Sequence, residues 1–345
     1  MGKLWNRHQA RLLLARWQET YDIYAPVRMP GDGCFSDTDT VRYGLIDSLE
    51  EIVWDQKSDY SFKEALLPIS ETLFYFTDDN ASVPEAPKKK RLIFLRSCEM
   101  NDLHAVKRLD EMYLNNGPED FYYKRIRQDA RFVLMGCDTP FASCFCASMG
   151  TNTCEGYHAY VHPDGDRFYL DIPDRELAAC ADGLAAEDAS QPVKSVTKDA
   201  VSVKIPDALP ENAATLDLWK DYSSRCISCG RCNFVCPTCT CFTMQDLFYR
   251  DNDHGRAGER RRVWASCQVD GYTDMAGGIC FRKDPGERMR FKVLHKISDY
   301  KKRFGYHMCV GCGRCENICP EYISYTECLN RLDAAARSSA EGGEQ

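Results

Sequence analysis

The sequence has no long apolar run, no excess of positive charge and few histidines. Its 345 residues carry 44 Lys and Arg against 52 Asp and Glu, a formal net charge of −8. That balance argues against nucleic acid as the main partner. Lys88-Lys89-Lys90-Arg91 and Arg260-Arg261-Arg262 are basic only locally and read as solvated faces or docking patches. The N-terminal "MGKLWNRHQARLLLARW" holds an apolar stretch too short for a signal peptide, and far below the roughly 20 residues of a membrane helix. "RLIFL" and "RFVLMG" are strand-length pieces. No leader or membrane partner is expected, and the expected location is the cytoplasm.

Catalytic patterns are absent as well. No G-x-G-x-x-G opens a βα unit, so neither flavin nor nicotinamide is expected on this chain. "GDGC" at 31–34 reads as a turn. The seven histidines are scattered; His104 and His307 lie near cysteines and read as structural. With no Ser/His/Asp order and no paired carboxylates in an evident pocket, no catalytic residue is predicted.

What the sequence does have is cysteine: 20 in all, six of them between Cys226 and Phe242. In a reducing compartment these read as metal ligands and core thiols rather than disulfides. Cys226, Cys229, Cys232 and Cys236 follow C-x2-C-x2-C-x3-C with Pro237 next, and Cys309, Cys312, Cys315 and Cys319 repeat it with Pro320 next. This is the bacterial ferredoxin spacing for [4Fe–4S] clusters, in which the fourth cysteine serves the other cluster. The expected sets are therefore Cys226, Cys229, Cys232 with Cys319, and Cys309, Cys312, Cys315 with Cys236. A zinc site would need paired C-x2-C units and would leave the third cysteine and the proline unexplained. Cys239, Cys241, Cys267 and Cys280 are left over and read as packing or tuning thiols.

The fold class expected is α+β. A mixed α/β domain over 1–180 carries a cysteine-rich loop, and an Ala-, Asp-, Ser- and Pro-rich linker follows over 181–214. A mainly helical dicluster domain then covers 215–335, with a flexible tail at 336–345. The apolar spacing at 8–20 and in "DSLEEIVW" predicts helices, "MPGDGCFSDTD" a loop and "SVPEAPKKK" a connector. "RLIFLRSCE", the helical spacing of Leu103, Val106, Leu109 and Met112, and "RFVLMGC" predict a strand, a helix and a strand. "GYHAYVHPDGDRFYLDI" predicts a hairpin turning at Pro-Asp-Gly-Asp. The 72 residues from Pro237 to Met308 hold helix-like pieces such as "KVLHKISDYKKRF".

A third cysteine group stands apart. Cys98 and Cys137 each end a predicted strand, and Cys144 and Cys146 follow in a Gly- and Pro-containing loop. Parallel neighbouring strands would bring the first two to one sheet edge, where the loop could close over them. Spacing alone leaves an iron–sulfur site, a zinc site and simple buried thiols open. Cys154 is an unassigned extra, and Cys34 and Cys180 are not expected to be ligands.

"RSCEMNDLHAVKRLD", "GCDTPFASCFCASMG", "CPTCTCF" and "WASCQVDGYTDMAGG", followed by "CVGCGRCENICP", resemble the iron–sulfur electron-transfer subunit of anaerobic sulfite reductase. That family is related to the β subunit of cytoplasmic sulfhydrogenases. Ser97 departs from it, standing where many relatives have proline. The resemblance implies an iron–sulfur electron-transfer subunit with no catalytic site of its own. It would relay electrons from an NADH- and flavin-binding subunit to a sirohaem subunit that reduces sulfite to sulfide. It also implies a third cluster on Cys98, Cys137, Cys144 and Cys146. The alternatives are the equivalent subunit of a hydrogenase complex and a redox-silent metal-binding module.

Overall fold

A computed structural model describes residues 2–33, 37–100, 104–252 and 255–342, with side chains as far as 338. Cys34, Leu103 and the last three residues of the expected tail lie outside the described residues. The chain divides into two units, each discontinuous. The first comprises Met1–Asp138, Cys154–Ser195 and Phe242–Trp264; the second comprises Thr139–Thr153, Val196–Cys241 and Ala265–Gln345. The linear division expected at 180, 214 and 335 is thus interleaved, because two stretches of chain are exchanged.

The first unit is built on strands β1 (Lys3–Asn6), β2 (Tyr21–Met29), β3 (Thr40–Leu45), β4 (Ser70–Thr77), β5 (Ala81–Ser82), β6 (Lys90–Arg96), β7 (Arg131–Met135), β8 (Ala159–Asp164), β9 (Arg167–Asp171) and β10 (Glu187–Asp188). Among the described residues the larger sheet has the order β10-β1-β9-β8-β7-β6-β2-β3. Its centre is parallel, from β2 through β6 and β7 to β8, and its flanks are antiparallel. Leu92, Ile93, Phe94 and Leu95 of β6 are all fully buried. A parallel strand covered on both faces reads as an unbroken apolar run, which is why "RLIFL" does not alternate.

The helix Arg7–Thr20 starts where the Asn6 side chain accepts a hydrogen bond from the Gln9 amide at 2.9 Å. It buries Ala10, Leu13, Leu14 and Trp17, one helical stripe, against that sheet. The helix Ala105–Leu114 joins β6 to β7 with Val106 and Leu109 buried. The β8–β9 hairpin turns at Gly165, whose φ of 63° is the left-handed value such a turn requires. "DSLEEIVW" forms only a short 3-10 turn, Leu49–Glu51, rather than the expected helix. Its Leu49 and Ile52 are both drawn into the sheet's core, and Ile52 is extended.

A second sheet shows how the gap between the cysteine runs is used. Strands β11 (Phe242–Asn252) and β12 (Gly255–Trp264) form an antiparallel hairpin, and β12 pairs with β4. The gap is therefore not helical throughout. The basic stretch at 260–262 is not simply a solvated face either, since Arg262 is buried. Its guanidinium donates to Glu71 on β4 at 2.7 Å and to Asp120 at 2.6 Å. In the other basic stretch Arg91 is half-buried and donates to the Ala65 carbonyl.

The second unit contains helices Lys220–Arg225, Arg231–Phe234, Pro285–Leu294, Tyr300–Phe304, Arg314–Asn317 and Tyr325–Gly342. A π-helical turn, His295–Asp299, joins the third to the fourth. Among the described residues its strands are β13 (Asp274–Met275) and β14 (Ile279–Cys280). Trp219, Tyr222, Val293, Ile297 and Leu329 form its core with Phe145. The last helix runs through 336–342, a stretch read from sequence as tail. Among the described residues no helix is long and apolar enough to cross a membrane.

Replacing Arg262 by Met leaves the buried Glu71 carboxylate with the more distant Arg125, at 3.6 Å. The expected cost is about 3–5 kcal/mol of stability, read as a lower denaturant midpoint at unchanged slope. A midpoint equal to the parent's would show that the ion network contributes nothing.

Candidate metal centres

Both ferredoxin-type runs fall in the second unit, and the backbone treats them alike. In the first, Ser228 (φ 59°) and Gly230 (φ 75°) are left-handed; in the second, Gly311 (φ 67°) and Gly313 (φ 68°) occupy the same places. Each loop then enters one helical turn, Arg231–Phe234 or Arg314–Asn317, carrying the third cysteine. The fourth cysteine ends the turn before the proline. The glycines of the second loop are also required by space, since a Cβ on Gly311 or Gly313 would overlap the carbonyl of Phe145 or of Ser143. The segment that carries Cys144 and Cys146 lies directly on this loop. The Phe145 amide donates to the Gly311 carbonyl at 2.8 Å, and the Thr151 hydroxyl to the Val310 carbonyl at 2.7 Å.

Cys226, Cys229, Cys232 and Cys319 line one cleft with about 490 Å³ of empty space, floored by Met289, Lys292 and Tyr325. Cys315 also reaches it. Cys236 instead acts electrostatically on Cys309 and Cys315, which also feel Cys312. The cleft opens toward solvent where Cys229 and Ile227 are exposed.

Burial works against thiolates here. It raises the pKa of Cys232, pushes Cys309 up to about 12 and drives Cys315 well above its ordinary value. For Cys309 a backbone amide offsets it in part, Gly311 donating to Cys309 Sγ at 3.5 Å; the Ile323 amide donates to Cys319 Sγ at 3.4 Å. No three of the described thiol, imidazole and carboxylate groups close around a point as the ligands of one metal ion do. Thiols spaced around a hollow, with amides directed at sulfur, fit a cubane, which binds each cysteine to a different iron.

The cations were not foreseen from sequence. Arg288, Lys292 and Lys296 recur every four residues along one continuous helical run, so they share a face, and all three are buried. Arg288 donates to Ser228 Oγ at 2.8 Å and pairs with Asp270 at 2.7 Å. Lys292 is hydrogen-bonded to Cys232 and feels Cys315 and Cys236. Lys296 donates to Thr238 Oγ1 at 3.1 Å and feels Cys236, Cys239 and Cys309. Burial alone would lower both lysine pKa values; the surrounding sulfurs more than reverse it, and both stay charged. For Cys236 burial is again the largest influence, but Lys296 and the Thr238 hydrogen bonds bring its pKa below the ordinary value. The visible signal was a basic residue at every fourth position of an otherwise apolar-patterned helix.

The third group is divided. Cys98 follows β6 and Cys137 follows β7, parallel neighbours that pair Arg96 with Met135, so both lie past the same edge of the sheet. Cys144 and Cys146 belong to the second unit, and Cys154 to the first. Cys180 donates to the Glu176 carbonyl at 3.6 Å, and Cys280 sits opposite Asp274 in β13–β14. His307 Nδ1 lies 2.8 Å from the Ile297 carbonyl.

Lys296→Met removes one buried positive charge beside the Cys309 set. Reduction potentials of iron–sulfur groups bound there should fall by roughly 100 mV, the value for a one-electron couple of a unit charge about 7 Å away at an effective dielectric near 20. Potentiometric titration followed by EPR reads this, and unchanged potentials would mean the lysine is only structural.

Residues 225–323 match the family described as 4Fe-4S dicluster domain. Over 338 residues the chain is 28% identical to sulfhydrogenase 2 subunit beta of Pyrococcus furiosus, an alignment covering 92% of this chain and 94% of that protein. No solved structure matches the chain.

Proposed function

We propose that the chain is an iron–sulfur electron-transfer subunit of a multi-subunit oxidoreductase in the cytoplasm. Its cluster ligands are Cys226, Cys229, Cys232 and Cys319 for one [4Fe–4S] group, and Cys309, Cys312, Cys315 and Cys236 for the other. The observation that carries this reading is the exchange of the fourth cysteines, Cys319 lining the first run's cleft and Cys236 acting on the second run's thiols. Clusters bound there would supply one-electron transfer, joining a two-electron donor to an acceptor that takes electrons in another number.

The chain's own residues do the rest. The thiols hold, the amides of Gly311 and Ile323 direct hydrogen bonds at sulfur, and Lys292 and Lys296 supply counter-charge. Met289, Tyr325 and Phe145 keep water from the interior. The exposed Cys229 and Ile227 edge gives electrons a way in or out.

The complex we favour reduces sulfite. In it a flavin- and NADH-binding subunit feeds this chain, which feeds a sirohaem subunit; Cys98, Cys137, Cys144 and Cys146 would hold a further cluster. The order of motifs from Cys98 to Pro320 supports that reading. A second reading, the electron-transfer subunit of a hydrogenase complex, is favoured by the similarity to a sulfhydrogenase β subunit.

Chain purified without oxygen should carry at least about eight iron atoms with matching labile sulfide, and Cys226→Ser with Cys309→Ser should remove most of them. Iron-free chain carrying zinc would overturn the electron-transfer reading. Affinity purification of the complex from anaerobically grown cells decides between the acceptors. A sirohaem subunit, and loss of NADH-dependent sulfite reduction when this chain is omitted, is expected; a nickel–iron subunit in its place would establish the hydrogenase reading.

A further inference from the structure

One buried hydroxyl of the second unit is left without an acceptor. Tyr325 opens the last helix and is 2% exposed. A tyrosine buried this deeply ordinarily finds a partner for its O–H. Tyr222, in the same core, does so: its hydroxyl is hydrogen-bonded to Cys328. The Tyr325 hydroxyl finds no hydrogen-bond partner among the described residues, thiols included.

The residue is fixed in that position. The Glu327 amide donates to Ser324 Oγ at 3.0 Å and the Thr326 amide to Glu316 Oε1 at 2.5 Å, which fastens the start of the helix to the turn Arg314–Asn317 of the second cysteine loop. The ring lies 6.5 Å from that of Phe145, and the Lys292 ammonium stands 5.5 Å from its centroid. The hydroxyl therefore cannot turn to water without undoing this packing. As packing alone the ring would serve as well without the hydroxyl, because an unsatisfied buried O–H costs stability.

The position lies between the two cysteine sets. The side chain lines the cleft of Cys226, Cys229, Cys232 and Cys319. Of the thiols around its hydroxyl, Cys309 and Cys315 act on it most strongly, and Cys236 acts on it too. Those three belong to the second set. A donor placed among the thiols of one set, and bonded to none of them, is directed at what the set holds. A [4Fe–4S] group presents its own sulfides there, and hydrogen bonds to cluster sulfur are one of the means by which a protein sets a potential. A phenol, with an ordinary pKa of about 10, keeps its proton and can donate.

We propose that the Tyr325 hydroxyl donates a hydrogen bond to a sulfur of the cluster held by Cys309, Cys312, Cys315 and Cys236, and thereby raises that cluster's reduction potential. The inference rests on the electron-transfer reading above. The reduced cluster carries one more negative charge than the oxidised one, so a donor stabilises it more and makes the electron easier to accept. Tyr325 is a positioning residue in this role, not a ligand.

The test is Tyr325→Phe in the full chain, purified without oxygen, with iron counted and midpoint potentials read by titration followed by EPR. Phenylalanine keeps the ring and removes only the donor. The expected result is unchanged iron and a fall of roughly 59 mV in the midpoint of one EPR component, equivalent to a tenfold shift of a one-electron equilibrium. Cys309→Ser, measured alongside, identifies the component of the second set by its loss or altered spectrum, and that component is the one expected to move. After exchange into deuterium oxide, pulsed EPR of the parent should show a coupled deuteron that the variant lacks. Unchanged potentials at full iron, or a shift confined to the other component, would overturn the proposal. So would a variant without iron beside a parent that holds it, since the residue would then be a packing requirement. A parent chain without iron would instead overturn the electron-transfer reading itself, so the two failures are told apart.

Discussion

Gathering many sulfurs inside a small unit is electrostatically unfavourable unless positive charge is buried with them. Lys292 and Lys296 meet this constraint. An isolated ammonium taken out of water would lose its proton, and an isolated buried sulfur would keep its own. Together each makes the other's charge tolerable, and burial on both sides lowers the dielectric that would otherwise screen them. The helix that carries the lysines is accordingly fixed at both ends of the cation row. Arg288 ties it to Ser228 in one cysteine loop, and the Lys296 carbonyl accepts the amides of Met308 and Cys309 at the start of the other. The π-helical turn falls at Lys296 itself. There the helix widens without breaking.

The two cysteine loops are near copies, and the copy extends below the level of motif. Left-handed residues stand two and four places after the first cysteine in both. In the first loop one of those places is Ser228, whose hydroxyl receives Arg288; in the second it is Gly311, where a side chain would strike the Phe145 carbonyl. Equivalent backbone is thus kept while the outer surfaces differ. One loop is left with an exposed edge at Ile227 and Cys229, and the other is covered by the segment holding Cys144 and Cys146.

Much of this was legible in the sequence because it depended on local pattern. Spacing and proline named the eight cysteines, and apolar runs named β6 and β7. Turn chemistry named the β8–β9 hairpin. The β11–β12 hairpin was hidden because β11 is exposed along its whole length and so shows no alternation. The hydrogen bond between Cys241 and Cys267 was hidden for a related reason: it depends on the base of that hairpin, which spacing cannot reveal. The buried lysines showed only as a basic residue at every fourth position, and nothing in that spacing says which way the row faces. "DSLEEIVW" misled in the opposite direction, its helical spacing serving to pin a short turn to the sheet.

The interleaving of the two units bears on how the protein is made. The second sheet needs β4 and a hairpin that ends at Trp264, and the first cleft needs Cys226 and Cys319. As the chain leaves the ribosome, neither can be completed from its early half. The thiols of the first run emerge well before their distant companion, exposed to oxygen, to zinc and to one another. Any group held by that set must consequently wait for Cys319 to emerge. Until Cys319 is present, the first run offers loose metal-binding cysteines rather than a shorter version of the same site.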